Sequence, residues 1–457
     1  MKRVPVTITS VSSEHAGDLF LAKNLCNELG ILPGRHVIQC GGISRSVRVL
    51  FPMNERPSVC AFSPDVMESL ALFEGAKLLL YTDGEKLRLG PVLGILANIR
   101  VKDGGIDGQQ APVFKHLLTL ATEERMYAYL FSPQELVSDK LRGYVLKKTN
   151  EKMTWEIRDV PFPDVVYDQI ITRKFENTPF VKTMKEKLIA KLGSAYFNPG
   201  YFDKVQVHDW LNSSDETKVY LPATIQHVDL KKTEPFLKKH NPVYFKPVNG
   251  TKGLGIIKLV RLIDGRYMYQ VRGKNGIQFH GIKKSTRHVL NRLDRRLKRR
   301  PFIVQEGLQL KTYEGRPFDI RVLMQKDHTG KWRRTKMYCR VAQEGDFISN
   351  LSTGGDAVSV PNVLQKICTN QEEIRSYKKK IDKLVKLVPV VLEKASGMQL
   401  GELGLDIGID AKGWVWLIEV NSKPWKKPFT EQGSMKLVVK SFRRPLLYGK
   451  YLAGITQ

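Results

Sequence analysis

The residues best placed to do chemistry lie near the C-terminus, where Asp406, Glu419 and Asn421 fall on two segments of alternating character. Glu402-Leu-Gly-Leu-Asp406-Ile-Gly-Ile-Asp410 and Trp414-Val-Trp-Leu-Ile-Glu419-Val-Asn421 flank Asp410-Ala-Lys-Gly413, which predicts two strands joined by a turn. If Asp410 pairs with Gly413, Asp406 lies opposite Leu417 and one diagonal step from Glu419. Asp406, Glu419 and Asn421 then share one face of the hairpin, and Leu405, Ile407, Trp416 and Ile418 share the other. An all-oxygen donor set without His or Cys suits Mg²⁺, and so few protein ligands leave positions for nucleotide phosphates and water. Gly404 and Gly408, on either side of Asp406, leave room for a nucleotide. A solvated hairpin with alternating acids has the same pattern, so the remainder of the chain must decide.

Three further segments bear on it. Val243-Tyr-Phe-Lys246 runs into Pro-Val-Asn-Gly250-Thr251-Lys-Gly253-Leu-Gly255 and a second apolar strand. Glycines allow successive backbone N–H groups to face phosphate oxygens, and Lys246 adds a point charge. The spacing is not that of a P-loop and no helix follows, so neither a Walker motif nor a dinucleotide fingerprint applies. Phe302-Ile-Val-Gln305-Glu306-Gly307-Leu308 is an apolar strand with a polar end, of the kind that can offer its backbone to an adenine edge. Arg316–Met324 and Trp332–Val341 flank the turn Asp327-His-Thr-Gly330. Pairing Asp327 with Gly330 puts Asp319, Arg321, Lys336 and Arg340 on one face, and Ile320, Val322, Met324, Met337, Cys339 and Val341 on the other. Arg321 and Arg340 on one side of a covered sheet suit a transferring phosphoryl group or an acyl-phosphate oxyanion.

The elements that must position these residues occupy a chain of 457 residues, long enough for two or three domains. Leu25 to Val37 matches Val66 to Leu78 at a constant offset, each copy a short helix, a glycine turn and a strand, which predicts two units interlocked as a small β-barrel over residues 1–88. Residues 89–165 alternate strand, helix and strand, as in a βαβ domain. An apolar stripe predicts a helix over Ile282 to Arg300 whose other face carries nine Lys or Arg against Asp294, and a second amphipathic helix runs from about Glu372 to Lys394. Residues 435–457 read as a basic tail.

The chain has 74 Lys and Arg against 46 Asp and Glu, a formal charge of +28, which calls for an anionic partner: ATP, an acidic substrate, a nucleic acid or an acidic wall polymer. No recognised module or aromatic groove accompanies the basic helix, which disfavours nucleic acid. Cys26, Cys40, Cys60, Cys339 and Cys368 are scattered and odd in number, so a reducing compartment and no disulfide scaffold are expected. Met1-Lys-Arg has no apolar run behind it and no stretch approaches a bilayer span, so a soluble protein made in the cytoplasm is expected.

Taken in order, a lysine with a glycine loop, a hinge strand, an Asp-Ile-Arg strand, an arginine strand and an Asp…Glu-x-Asn hairpin resemble the ATP-grasp superfamily. Leu89-Gly-Pro-Val-Leu-Gly-Ile95 and Phe162-Pro-Asp-Val-Val-Tyr167 extend the resemblance over nearly the whole chain to the YheC/YheD endospore coat-associated family. The resemblance implies an α/β and α+β architecture: an ATP-grasp fold of two α+β subdomains over residues 166–434, behind the pre-ATP-grasp domain and the barrel. It implies ATP and Mg²⁺ as cofactors, the latter held by Asp406, Glu419 and Asn421. Lys204 and Lys246 would contact the nucleotide, Gln305, Glu306, Gly307 and Leu308 its adenine, and Gly250, Thr251, Gly253 and Gly255 its phosphates, with Asp319 beside them. Arg321, Arg340 and Asn350, the last in the loop Asn350-Leu-Ser-Thr-Gly354-Gly355, would serve the γ-phosphate and acceptor. Lys252 within the glycine loop and Ser422-Lys423-Pro424-Trp425 after the hairpin depart from the family pattern, which leaves acceptor identity open. The implied activity is ligation of an unidentified carboxylate, such as an acidic peptide or wall precursor, to an amine in association with endospore formation. A kinase using the same site and a non-catalytic cationic protein of the spore coat are the rivals.

Overall fold

The computed structural model describes residues 2–11, 17–51, 58–84, 86–137, 140–149, 152–226, 228–250, 253–273, 276–344, 355–430 and 433–455. The two repeated units close a barrel of seven strands in the order Arg3–Ser10, Val59–Phe62, Asp18–Leu21, Ile43–Leu50, Gly34–Cys40, Lys86–Gly90 and Lys77–Asp83. Neither unit can bury its apolar side alone, and they share one core. Leu25, Cys26 and Leu29 of the first helix and Val66 and Met67 of the second are buried in it with Ile38, Val49, Leu78 and Leu87 from the strands. The barrel's last strand reaches Gly90, where the next sheet begins.

Val92–Leu96 is the centre of that sheet, with Tyr127–Phe131 and Val165–Asp168 parallel on either side. The helix Ala111–Glu123 supplies the crossover, burying Val113, Phe114, Leu117 and Leu118. Residues 435–452, expected as part of a basic tail, form the helix Met435–Leu452. Val438, Phe442 and Leu446 recur every fourth residue and bury against Leu117, Leu130 and Val165, so the helix completes the core of the βαβ domain.

Two antiparallel sheets make up the remainder. One has six strands in the order Thr224–Ile225, Phe302–Glu306, Val243–Pro247, Ile257–Arg261, Tyr267–Gly273 and Gly276–Lys283. The basic helix on it begins later than the apolar stripe predicts: Ser285 caps Thr286–Lys298 by accepting from the His288 N–H, and Ile282 belongs to the preceding strand. The other sheet runs Asp356–Val358, Trp332–Val341, Arg316–Lys326, Glu402–Ile409 and Val415–Asn421, with Thr312–Tyr313 beside Arg316–Lys326. The helix Gln371–Ser396 covers one face, burying Ile381, Leu384, Val388 and Leu392 against Val322, Leu405 and Leu417. That coverage leaves the opposite face for polar chemistry. All five cysteines are free. Among the described residues no helix is long and apolar enough to cross a membrane.

Candidate functional site

The open face of the last sheet is a grid fixed by strand register. One row runs Tyr338, Arg321, Asp406, Glu419, and the next runs Lys336, Leu323, Gly404, Asn421. The hairpin register differs from the expected one. Asp406 pairs directly with Glu419 and Ile407 with Leu417, so Ile418 is an extra residue bulged out between them. The bulge reverses the side-chain alternation on its strand. Val415, Leu417 and Val420 enter the core, whereas Trp416 and Ile418, expected on the core face, are only half-buried. Asp410 ends the hairpin, accepting from the N–H groups of Lys412 and Trp414 and from the Trp416 indole.

Charges on this face are packed in alternating sign. Arg340 holds Asp319 through two parallel bonds, Nε to Oδ1 and Nη2 to Oδ2, each 2.7 Å, and its Nη2 also lies 2.8 Å from Asp406 Oδ2. Burial alone would weaken the charged guanidinium, but Asp406 and Asp319 more than offset it and push the Arg340 pKa up. Arg321 Nε stands 2.7 Å from Asp406 Oδ1. Its guanidinium lies over Gly404, where a Cβ would come within 3.0 Å of Nη1.

A second cationic pair faces the acids from across a cleft. Lys204 opens the helix Lys204–Asn212, whose N-cap Asp203 forms a capping box with Gln206. Its Nζ reaches Glu419 Oε1 at 2.8 Å and the Gly250 carbonyl at 3.3 Å. Lys246, on the strand Val243–Pro247, donates to Gln305 Oε1 at 2.5 Å. Burial lowers the Lys246 pKa to about 8, with Glu419 opposing and Lys204 reinforcing the shift. For Glu419 burial acts upward, but Lys204, Lys246 and Arg321 outweigh it and keep the carboxyl ionised below its ordinary range.

The cleft encloses about 760 Å³ of space open to solvent. Its lining combines apolar side chains, Val207, Leu211, Leu221, Pro222 and Ile303, with charged and polar ones, Lys204, Lys246, Glu419 and Asn421. An aromatic base with a polyanionic tail has this combination of character. Of the expected hinge residues, Gln305 lines the cleft. Glu306 bonds to Ala223 through its own backbone N–H and its carboxylate and sits 2.8 Å from His240, while the Gly307 N–H donates to the Pro242 carbonyl. Leu308 follows in the segment leading out of the strand. Gly250 lines the cleft, and Gly253 and Gly255 have positive φ; a Cβ on Gly255 would stand 2.0 Å from Arg300 Nη2. Thr251 and Asn350 lie outside the described residues.

The residues fit a hard divalent cation. Among the described residues no three His, Cys, Asp or Glu cluster as a metal site, so the protein would offer two carboxylates and one amide. Asp406 Oδ1, off-axis to Arg321, and Asn421 Nδ2 are buried without hydrogen-bond partners. Exchanging the near-isosteric O and N of the Asn421 amide brings an oxygen to that place. Donors left unsatisfied beside Glu419 are what a cation would complete.

Two positioning groups carry no sequence motif. Asn198 is fully buried with φ +56° and commits its whole amide to the ends of the hairpin that carries Asp406 and Glu419. Nδ2 donates to the carbonyls of Glu402 and Ser422, and Oδ1 accepts from the N–H groups of Gly401 and Glu402. The positive φ before Pro199 shows up only in the fold, and no local sequence pattern singles the residue out. Lys423 donates to Asp168 Oδ1 at 2.6 Å, to the Ile170 carbonyl and to Glu176, and Lys185 binds the same two acids. This ties the chain after the hairpin to the βαβ sheet.

A family model described as YheC/D-like ATP-grasp matches residues 193–452. The chain belongs to that family, as the order of its motifs implied. It is similar to the endospore coat-associated protein YheD of Bacillus subtilis strain 168, with 27% identity over 372 residues, 80% of each chain. It is also similar to YheC of the same strain, with 27% identity over 305 residues, 65% of this chain and 80% of the relative. Among solved structures it is similar to the ATP-grasp ligase PsnB complexed with minimal precursor, with TM-score 0.43, 13% identity and coverage of 77% of this chain and 98% of that one. D-alanyl-alanine synthetase A from Vibrio cholerae O1 gives TM-score 0.43 and 11% identity, with coverage of 79% and 99%.

Proposed function

We propose that the protein is an ATP- and Mg²⁺-dependent ligase that joins a carboxylate to an amine through an acyl phosphate. The observation that carries this reading is the convergence of Asp406, Glu419, Arg321 and Arg340 on one sheet face with Lys204 reaching over to Glu419. The base would lie among Val207, Leu211, Leu221 and Ile303, with Gln305 at its edge and the phosphates directed to Lys204, Lys246 and the loop from Gly250. Mg²⁺, held by Asp406, Glu419 and Asn421, would neutralise the phosphate oxygens and orient the transferring group.

Arg321 and Arg340 would take up the substrate carboxylate beside the γ-phosphate, so that attack becomes an intramolecular event with both anions already compensated. Displacement of phosphate by the amine would complete the ligation. Lys204 and Lys246 act by charge and position, with no covalent role. In keeping with the relatives' names, we place the reaction in endospore formation. The test is phosphate release from ATP with Mg²⁺ across amino acids, short acidic peptides and wall precursors. Release that needs both a carboxylate and an amine identifies a ligase; a phosphorylated product without amine dependence identifies a kinase. Glu419→Gln is expected to remove most turnover with the circular dichroism spectrum unchanged, and undiminished turnover would refute the metal assignment.

A further inference from the structure

Lys336 stands out on the site face. On the sheet face Arg340 has Asp319 and Arg321 has Asp406, and in the chain after the hairpin Lys423 has Asp168 and Lys426 donates to Glu402 Oε2 at 2.6 Å; across the cleft Lys246 donates to Gln305. Lys336 is half-buried and, among the described residues, its ammonium has neither an ion-pair partner nor a hydrogen bond. It shares the row of Leu323, Gly404 and Asn421 and sits two residues along the strand from Tyr338, the partner of Arg321. Burial and the nearby Lys426 lower its pKa to about 8, the mark of a cation held away from water without compensation.

Gly404 contributes no side chain between Lys336 and the metal-binding edge, and the Arg321 guanidinium and Pro424 close over that glycine. Pro424 leads to Trp425, a large aromatic that is 50% exposed. Pro424, Trp425 and Lys426, the last close enough to Lys336 to act on its charge, also bound a small second cavity with Gln110, Gln169 and Lys423, between the βαβ domain and the chain leaving the hairpin.

We propose that Lys336 forms a subsite for a second carboxylate on the substrate whose reacting carboxylate Arg321 receives, so that the protein selects a dicarboxylate such as an acidic amino acid residue of a peptide. The proposal rests on the ligase reading for the role of Arg321. One uncompensated ammonium matches one carboxylate; a phosphate dianion would call for a second free cation. Diagonal neighbours on adjacent strands lie roughly 7–8 Å apart, a span that two long basic side chains close around a short dicarboxylate.

The probes are L-glutamyl-L-glutamate and L-glutaminyl-L-glutamine, titrated calorimetrically into the full chain with Mg²⁺ and a non-hydrolysable ATP analogue. The acidic dipeptide is expected to bind at least about tenfold more tightly, the effect of one charge-assisted bond. Lys336→Met is expected to abolish that preference with analogue affinity and circular dichroism unchanged, and Lys336→Arg to retain it. Equal binding of the dipeptides, absence of binding by both, or a preference that survives in Lys336→Met would overturn the proposal. Failure of the analogue to bind would refute the nucleotide site instead, and the dipeptide comparison without nucleotide would still decide the subsite.

Discussion

Asn198→Ala should be among the most damaging substitutions outside the cleft. It removes four hydrogen bonds at once, to the carbonyls of Glu402 and Ser422 and from the N–H groups of Gly401 and Glu402, in a place with no exposure to solvent. A buried polar group left without a partner costs about 1–3 kcal/mol, and with partial relaxation among four neighbouring groups the loss sums to about 4–6 kcal/mol. Alanine must also adopt the φ of +56°, which adds about 1 kcal/mol. The total is comparable with the whole stability of many domains. Asn198→Gly keeps the loss of hydrogen bonds but not the backbone strain, so it should be more stable than Asn198→Ala by about 1 kcal/mol.

Urea unfolding followed by tryptophan fluorescence reads this directly, because Trp414 and Trp416 sit on the hairpin that Asn198 ties down. A loss below about 2 kcal/mol for Asn198→Ala would mean that water replaces the amide, and the role assigned to Asn198 would be wrong. Alanine and glycine variants of equal stability would refute the strain argument separately.

Other outcomes follow from the same geometry. Gly404→Ala places a methyl group 3.0 Å from Arg321 Nη1 and 3.2 Å from Pro424 Cβ, so ATP turnover should fall about tenfold or more while analogue binding by calorimetry changes little. The preference for the acidic dipeptide should fade as pH rises through about 8, because Lys336 in the free protein gives up its proton there and binding must restore it. The surrounding Arg321, Arg340 and Lys426 are paired cations, and burial pushes the Tyr338 phenol upward. A preference that is flat from pH 7 to pH 9.5 would refute this assignment.

The site face was legible because strand alternation forgives some errors. The turn Asp327–Gly330 predicts Asp319 opposite Tyr338, whereas it pairs with Arg340. As far as Leu323 opposite Lys336 that slip of two residues preserves the faces, so Asp319, Arg321, Lys336 and Arg340 do lie together; the register shifts only beyond them, at Met324. In the hairpin of Asp406 and Glu419 the slip is one residue near the turn and two beyond Ile418. Asp406, Glu419 and Asn421 therefore fell on the expected face, and Trp416 on the wrong one. The bulge brings both Leu417 and Val420 into the core with the helix Gln371–Ser396, a tertiary arrangement that no local pattern encodes. The C-terminal helix reads as a basic tail for a simpler reason: its Lys and Arg dominate the composition, while Val438, Phe442 and Leu446, spaced four apart, form the buried stripe.

What no single segment could disclose is the fastening of the hairpin to remote parts of the chain. Lys423 was legible only as a departure from the family's pattern, yet it is a buried cation whose acids lie 255 and 247 residues earlier. Two lysines and two acids make the cluster neutral, and burial would raise the Asp168 pKa were it not for Lys423 and Lys185, which hold it below the usual carboxylate range. Removing either lysine would strand an acid in the interior, so the cluster fixes Ser422 and Lys423 firmly to the βαβ sheet. Asn421 precedes that anchor directly, and Asn198 grips Ser422 from the other side. The strand that carries Glu419 and Asn421 is thus held at its end by the domain that borders the second cavity, so the position of those two side chains and the shape of that cavity are set together.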